Sequence, residues 1–332
     1  MLRRIIGARL KVGNIARLLP VAWMLFYGSP ATAQVSSPEE AQTGTNVAAA
    51  APGPVLADSL LEQPFGIGRV NAYATFSYVF PGNASYSTAQ EKRSDAELVN
   101  AGVSANIPIN NRWFVPVGLG SADYFLEQVP GEPIPGHIDT LRLFAGLGYR
   151  LNDQWTFSAG GGPELYRFNG VRNDDIGEFG MIRAVWRIRP DLTLAFGLGF
   201  NPDSDLPVAP AAGVRWVIET NLILNLMFPE TGLIYRPAPR IDLFAGADFK
   251  FAVFRTDDTL GSNLGQSRYN NALGTYRDFH LGVGAEYRIV RGLRAGVEAG
   301  YSVGREIDYK NIGQTVKFAP SPYVQASLRL RF

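Results

Sequence analysis

Three side chains have the types that a serine hydrolase uses for nucleophilic catalysis: Asp278, His280 and Ser302. In such an enzyme the imidazole takes the proton of the hydroxyl, and the carboxylate orients the imidazole. If the three residues lie on the two strands of one hairpin, Ser302 faces His280 and Asp278 lies on the same face. A serine that faces a histidine across two strands is common, and the chain has no G-x-S-x-G motif. We therefore predict no enzymatic activity and interpret His280 as a hydrogen-bonded interior residue.

Three groups of acidic residues in predicted long loops offer the oxygen ligands that Ca²⁺ prefers. Their spacing is not that of an EF-hand, and neither a dinucleotide fingerprint nor a P-loop is present. His137 is expected in a solvated loop. No metal and no cofactor is predicted. The loop acids are Asp174, Asp175, Asp203, Asp205, Asp257 and Asp258.

The elements that must position these side chains are β-strands, because apolar and polar residues alternate along most of the chain. At the C-terminus, Leu330, Leu328, Ala326 and Val324 share one face, and the residues between them are polar. Each predicted strand has about 9–14 residues, the length of a tilted membrane-spanning strand, and no apolar run reaches the ~18 residues of a transmembrane helix. The predicted strands are 70–80, 98–107, 113–122, 138–151, 155–168, 178–188, 192–200, 241–254, 276–289, 293–303 and 319–332.

Short and long connections alternate along the chain. Short turns on one side of a membrane and long loops on the other are typical of outer-membrane barrels, where the short turns face the periplasm. Trp113, Trp155 and Tyr287 lie near short turns, and Phe200 and Tyr301 lie near long loops, as two interfacial aromatic belts require. The short connections are 108–112, 152–154, 189–191 and 290–292. The long connections are 82–96, 127–137, 169–177, 201–207, 256–275 and 305–317.

The strand count depends on residues 209–236. If the last strand runs towards the periplasm, this stretch crosses the membrane an odd number of times. One crossing gives 12 strands and three crossings give 14; we favour 12, because three crossings leave only about eight residues each. The predicted fold is therefore an all-β, closed, antiparallel, up-and-down transmembrane β-barrel of about 12 strands, with 14 as the alternative.

Both ends of the chain fit an exported barrel. Five basic residues, a short apolar core and an A-x-A site ending at Ala33 predict a cleaved signal peptide at residues 1–33. Residues 34–64 have the composition of a flexible periplasmic segment, and residues 65–332 are assigned to the barrel. The final strand with its terminal Phe332 resembles the C-terminal strand of Gram-negative outer-membrane β-barrels. That resemblance implies that Phe332 is read by the barrel-assembly machinery, and it implies contact with outer-membrane lipid and lipopolysaccharide.

A second, shorter resemblance lies in residues 221–236. With Phe228, Pro229 and Tyr235, this stretch is similar to uncharacterised porin-like barrel families. The similarity implies the fold and assigns no activity.

If the apolar face of each strand meets lipid, the charged residues on the other face point into the lumen, since an Arg or Lys at the midplane facing lipid costs roughly 2–4 kcal/mol. Glu286 and Arg294 are expected to pair across the turn at Arg291, and Glu298 is expected to face Gly284. The predicted lumen residues are Arg142, Glu164, Arg183, Arg187, Asp242, Asp248, Lys250, Asp278, His280, Glu286, Arg288, Arg294, Glu298, Arg329 and Arg331.

Two functions fit such a lumen. The favoured one is a passive or semi-selective channel for small hydrophilic solutes, lined by opposed charges. The alternative is a closed barrel, filled by paired charges, with a structural or surface-binding role through its long loops. The chain has no basic block that would bind nucleic acid and no cysteine for disulfides or thiolate metal sites.

Overall fold

The computed structural model describes residues 70–85, 92–167, 171–204, 206–227 and 230–331. The predicted signal peptide at 1–33, the segment 34–64, the first barrel residues 65–69 and Phe332 lie outside the described residues, so those predictions stay predictions.

Alternating residues form long strands along the whole described chain. The strands are β1 Val70–Ser85, β2 Lys92–Pro108, β3 Trp113–Leu126, β4 His137–Arg150, β5 Trp155–Leu165, β6 Ile176–Arg189, β7 Leu192–Phe200, β8 Val208–Glu219, β9 Leu222–Met227, β10 Glu230–Ala238, β11 Ile241–Arg255, β12 Leu273–Val290, β13 Leu293–Ser302, β14 Glu306–Tyr309, β15 Gln314–Phe318 and β16 Ser321–Arg331.

The strands close into an antiparallel barrel. Each strand from β1 to β12 pairs with the next one along the chain, β13 pairs with β16, and β16 pairs with β1. Within the described residues the wall thus contains 14 strands. The remaining two, β14 and β15, form a hairpin at one mouth, where they pair with short segments of β12 and β1. Closure gives each of these wall strands a partner on both sides, as a barrel in lipid requires.

The choice between 12 and 14 strands is decided by β8, β9 and β10, which cross three times. The preference for 12 assumed that every crossing has full spanning length. Instead β9 has only six residues and β10 has nine, so the wall is low at this point. Above Asp248, which pairs with Glu230, β11 pairs only with β12 within the described residues.

The turns and loops follow the predicted asymmetry. Two-residue turns join β6 to β7, β8 to β9, β10 to β11 and β12 to β13 at one end. At the β12–β13 turn, Gly292 has φ +90°, a conformation that favours glycine. The predicted loop 82–96 is shorter than expected, because β1 and β2 extend into it. The predicted loop 305–317 holds the β14–β15 hairpin, and the β11–β12 loop holds a short helix, α1, at Leu260–Asn263.

The outer face is apolar and the inner face carries the charges. On β12, Phe279, Leu281, Val283 and Tyr287 are 38–62% exposed, while the intervening Glu286 is 3% exposed. Aromatic residues ring the short-turn end, where Trp155 stacks on Trp186 with 5.2 Å between centroids. This inside-out arrangement suits a lipid environment. The protein is therefore a transmembrane β-barrel of the outer membrane. Among the described residues, none of the helices has the length and apolar character needed to cross a bilayer.

Candidate functional site

The barrel interior holds the charged residues that the strand pattern assigned to the lumen. Cross-strand register places Asp242 beside Glu286, Asp248 beside His280 and Lys250 beside Asp278. The remaining members of the set share this inner face, opposite the exposed apolar residues: Arg142, Glu164, Arg183, Arg187, Arg288, Arg294, Glu298, Arg329 and Arg331.

The Ser, His and Asp residues do meet, but their hydrogen bonds are not those of a catalytic triad. Ser302 faces His280, as the register predicted. Ser302 Oγ donates to Asp278 Oδ1 at 2.5 Å, and His280 Nε2 lies 2.9 Å from Asp278 Oδ2. The carboxylate also accepts a hydrogen bond from Tyr276. Because serine donates to the carboxylate and not to the imidazole, no base activates its hydroxyl, and the cluster is a buried hydrogen-bond centre.

A second polar cluster lies near the short turns. Asp242 accepts hydrogen bonds from Arg236 at 2.7 Å and from Arg294 at 2.8 Å. Glu286 accepts one from Arg329 at 2.8 Å. The predicted pair of Glu286 and Arg294 is present, with an N–O distance of 3.5 Å. Arg236 was not among the predicted lumen residues, because residues 209–236 had not been divided into individual strands.

A third cluster ties β4, β5 and the β7–β8 loop together. Glu164, fully buried, accepts a hydrogen bond from Arg142 Nε at 2.7 Å and one from Asn201 Nδ2 at 3.0 Å. The Arg142 guanidinium also lies over the Phe179 ring, 5.4 Å from its centroid. These contacts satisfy the buried carboxylate, which would otherwise be costly.

A small cavity of about 20 Å³ lies between the second cluster and the Asp278 centre. Glu298 faces Gly284, as predicted, and accepts hydrogen bonds from Tyr323 and Gln325. Carboxylates and an arginine thus line one cavity, which lies in the polar half of the interior. Its lining includes Phe244, Asp248, Glu286, Glu298, Gln325 and Arg329.

The other half of the interior, towards the long loops, is apolar, which the strand pattern did not predict. Inward residues of six wall strands, β1, β2, β3, β4, β11 and β12, pack there against residues of three loop segments, and we call this cluster the apolar cap. The wall contributes Val79, Leu98, Tyr124, Ile138, Phe254 and Tyr276. The loops and the β14–β15 hairpin contribute Val129, Ile134, Leu260, Tyr269, Ile307, Tyr309, Val316 and Phe318.

The β14–β15 hairpin is the centre of the apolar cap. Tyr309 is fully buried, its ring centroid lies 5.2 Å from that of Tyr269, and its hydroxyl donates to the Pro133 carbonyl at 2.6 Å. Burial raises the pKa of the Tyr309 hydroxyl well above its ordinary value, so the group remains a donor. Arg305, at the base of the hairpin, is 2% exposed; it donates to the Ser94 carbonyl and lies over the Phe318 ring.

The barrel is also pinched at this level. Strands β4 and β11 are opposite each other in the closed wall, yet Cα atoms of the two approach within 8 Å. The two walls are therefore close enough for their inward side chains to meet. The interior is closed on the long-loop side and holds a polar cavity on the short-turn side.

Ion pairs hold the long loops above the apolar cap. Arg167 bridges Asp175 at 3.2 Å and Asp258 at 3.4 Å, and Arg172 also binds Asp258. Lys310 at the hairpin tip donates to the Ser204 carbonyl at 2.8 Å. Several loop acids are thus bound to arginines, and no three metal-ligating side chains come together in the described residues.

Lowering the pH should increase the mobility of the long loops that these ion pairs hold. Partial desolvation raises the pKa of Asp258, but the hydrogen bond from Arg167 and the charge of Arg172 outweigh it and lower the pKa. A lowered pKa stabilises the folded form above the ordinary Asp value, about 4, and that contribution is lost as the pH falls through the folded value. A spin label at Val171→Cys, the chain's only cysteine, should therefore gain mobility as the pH falls below about 4.

The matched control for this titration is Asp258→Asn in the same labelled protein. It should be mobile already at neutral pH and should lose most of the pH response. An unchanged transition in Asp258→Asn would assign the effect to another group.

The sequence model of a family described as a domain of unknown function, DUF6268, matches residues 140–331. Among solved structures, the COG4313 outer membrane channel from Pseudomonas putida F1 is 10% identical with a TM-score of 0.47, covering 83% of this chain and all of that one. A Pseudomonas aeruginosa FadL homologue is 11% identical with a TM-score of 0.41, covering 80% of this chain and 90% of the other.

The P. putida toluene transporter TodX is 11% identical with a TM-score of 0.37, covering 80% of this chain and 89% of that one. No curated protein matches the sequence. These similarities describe related architecture and assign no cargo to this chain.

Proposed function

The chain belongs to the DUF6268 family of domains of unknown function, and for this member we propose a gated outer-membrane channel for small hydrophilic solutes. The observation that carries the proposal is the division of the interior into a polar cavity and an apolar cap. The cavity has the opposed charges that orient polar solutes. The apolar cap closes the cavity on the extracellular side.

The strands that close the mouth of the barrel are different from the strands that close its wall. Strands β1 and β16 pair over nine residues, from Asn71 to Val79 on β1. In contrast, β15 pairs with β1 only at Ala84 and Ser85, and β14 pairs with β12 at three residues. The hairpin can therefore leave the mouth without opening the wall, which is what a gate requires.

The pinch between β4 and β11 belongs to the same gate. The upper part of β11 pairs only with β12 within the described residues, and it is held inward by packing of Phe254 against Tyr309, with 6.2 Å between ring centroids. Release of the hairpin removes this support. The upper β11–β12 segment then moves outward and widens the lumen.

A second candidate is a permanently closed barrel that binds a surface partner through its loops. It is favoured by the ties between loops, such as Lys310 to the β7–β8 loop and Arg172 to Asp258. The two candidates differ in one property, since only the gated channel conducts when the apolar cap is removed.

Planar-bilayer conductance of a hairpin-shortened protein tests the proposal. The variant replaces residues 306–317 with a short Gly-Ser linker and removes Ile307, Tyr309 and Val316 from the apolar cap. We expect stable conductance steps in the variant and little conductance in the unmodified barrel.

The matched control replaces only residues 310–313 with Gly-Ser of equal length and keeps the apolar hairpin residues Ile307, Tyr309 and Val316. It should stay as silent as the unmodified protein. If the shortened variant folds, as judged by heat-dependent migration on a gel, and is equally silent, the closed-barrel candidate is correct and the channel proposal is wrong.

A further inference from the structure

Three arginines stand side by side on the inner wall near the short-turn end. Cross-strand register places Arg288 of β12 directly opposite Arg294 of β13, and Arg294 directly opposite Arg329 of β16. Like charges that face each other directly are destabilising. A row of three such charges on neighbouring strands therefore calls for a compensating negative charge.

The carboxylates in the neighbouring row compensate only part of this charge. Asp242 binds both Arg236 and Arg294, and Glu286 binds Arg294 and Arg329. With Arg288 included, four guanidinium groups surround two carboxylates. We call these four residues, Arg236, Arg288, Arg294 and Arg329, the arginine cluster.

Two members of the arginine cluster have unused donors. Arg288 makes no ion pair in the described part of the chain, although Arg236, Arg294 and Asp242 are the charges that act on it. Arg236 Nη2 is buried and has no hydrogen-bond partner among the described residues. A buried donor without a partner is costly unless a ligand or ion supplies an acceptor.

The arginine cluster is reachable from the solvent. Arg288 is partly exposed, and it lies two residues before the end of β12, next to the short turn. Arg329 and Glu286 also line the polar cavity. The cluster therefore lies between the periplasmic mouth and the cavity, where an entering or leaving solute passes.

From this arrangement we propose that the arginine cluster binds a small oxyanion of the phosphate class that carries at least two negative charges. The planar guanidinium fork matches phosphate oxygens in a bidentate manner. Such an anion would offer oxygen acceptors to Arg288 and to Arg236 Nη2, and it would offset the excess charge of the row. The proposal names a solute class for the proposed channel, but the binding itself does not require conduction.

Calorimetric titration of the folded barrel in detergent with inorganic phosphate, at constant ionic strength set by chloride, tests the site. The informative variant is Arg288→Gln, because Arg288 makes no ion pair within the described residues and its loss leaves the Asp242 and Glu286 pairs in place. We expect phosphate affinity to fall about tenfold or more, as for loss of a charged hydrogen bond.

The matched control is Arg187→Gln. Arg187 is also an inward arginine near a short turn, but it lies on β6, six strands from β12 in the wall. Its affinity for phosphate should stay within about twofold of the unmodified protein. Absence of phosphate binding in the unmodified barrel, or an equal loss in both variants, would overturn the site.

The outcome is separable from that of the channel proposal. If phosphate binding depends on Arg288 but the hairpin-shortened protein does not conduct, the channel proposal is wrong and the phosphate-site proposal is correct. If the hairpin-shortened protein conducts but phosphate does not bind, the phosphate-site proposal is wrong and the channel proposal is correct.

Discussion

Replacing Asp278 with Ala should lower the free energy of unfolding by at least about 3 kcal/mol. The carboxylate is fully buried and accepts hydrogen bonds from Tyr276, His280 and Ser302. Its removal leaves three buried donors without an acceptor. Each such donor costs about 1–3 kcal/mol.

The measurement is urea-dependent unfolding of the barrel in lipid vesicles, followed by tryptophan fluorescence. Asp191→Ala is the matched control, because Asp191 forms a half-exposed pair with Arg189 in a turn, and exposed pairs contribute about 0–1 kcal/mol. Equal stability of the Asp278 and Asp191 variants would mean that Asp278 does not hold the centre together.

Substitution of Ser302 separates a structural role of the Asp278 centre from a catalytic one. In a hydrolase, Ser302→Ala would abolish activity and leave stability almost unchanged. In the arrangement seen here, Ser302→Ala removes one donor to Asp278, so we expect a small loss of stability.

The sequence predicted the faces of the strands well, because a period of two is a local property. Residues as distant as Asp242, Glu286 and Arg329 were placed correctly on one face, and the pairs Glu286 with Arg294 and His280 with Ser302 followed from a single short turn. The hydrogen bonds within these pairs did not follow. Rotamers decide whether Ser302 donates to a histidine or to Asp278, and rotamers depend on neighbours from other strands.

The apolar cap was missed because the inner face was assumed to be polar along its whole height. A local signal for it exists in the sequence. Near the long loops, both faces of a strand become apolar, as at Ala252, Val253 and Phe254 of β11 and at Leu98 and Val99 of β2. In a barrel whose outer face meets lipid, a strand that is apolar on both faces must also be covered by apolar side chains on its inner face. The partners that bury it come from loops distant in sequence.

The short crossings were underestimated for a related reason. Spanning length was treated as a minimum for every strand, yet β9 has six residues. The wall is low at β9, and in the same barrel β11 approaches β4 across the interior. Length rules describe an average wall, whereas this wall is low on one side.

Replacing Tyr309 with Ala should release the hairpin from the mouth while the barrel remains folded. The ring is fully buried between Phe254 and Tyr269, and loss of a buried aromatic ring costs about 3–5 kcal/mol. The cost falls on the hairpin, since β1 and β16 close the barrel independently of it. An opening equilibrium shifted by about 3 kcal/mol raises cleavage at exposed sites about a hundredfold.

Opening of the hairpin is measured by limited trypsin digestion of the protein in vesicles, as the rate of cleavage after Arg305, Lys310 and Lys317. Tyr309→Phe keeps the ring and loses only the bond to the Pro133 carbonyl, so its cleavage should rise about tenfold or less. Tyr301→Ala removes the same side chain from the lipid-facing surface, where Tyr301 is 56% exposed, and should leave hairpin cleavage unchanged.

The three variants together decide whether the apolar cap is a gate. If Tyr309→Ala is cleaved rapidly and conducts, packing of one ring controls both the hairpin and the lumen. If it is cleaved rapidly but does not conduct, the pinch between β4 and β11 closes the lumen by itself, and the hairpin serves the extracellular surface. If cleavage does not rise, the hairpin is held by contacts other than Tyr309, of which the buried Arg305 with its bond to the Ser94 carbonyl is the strongest.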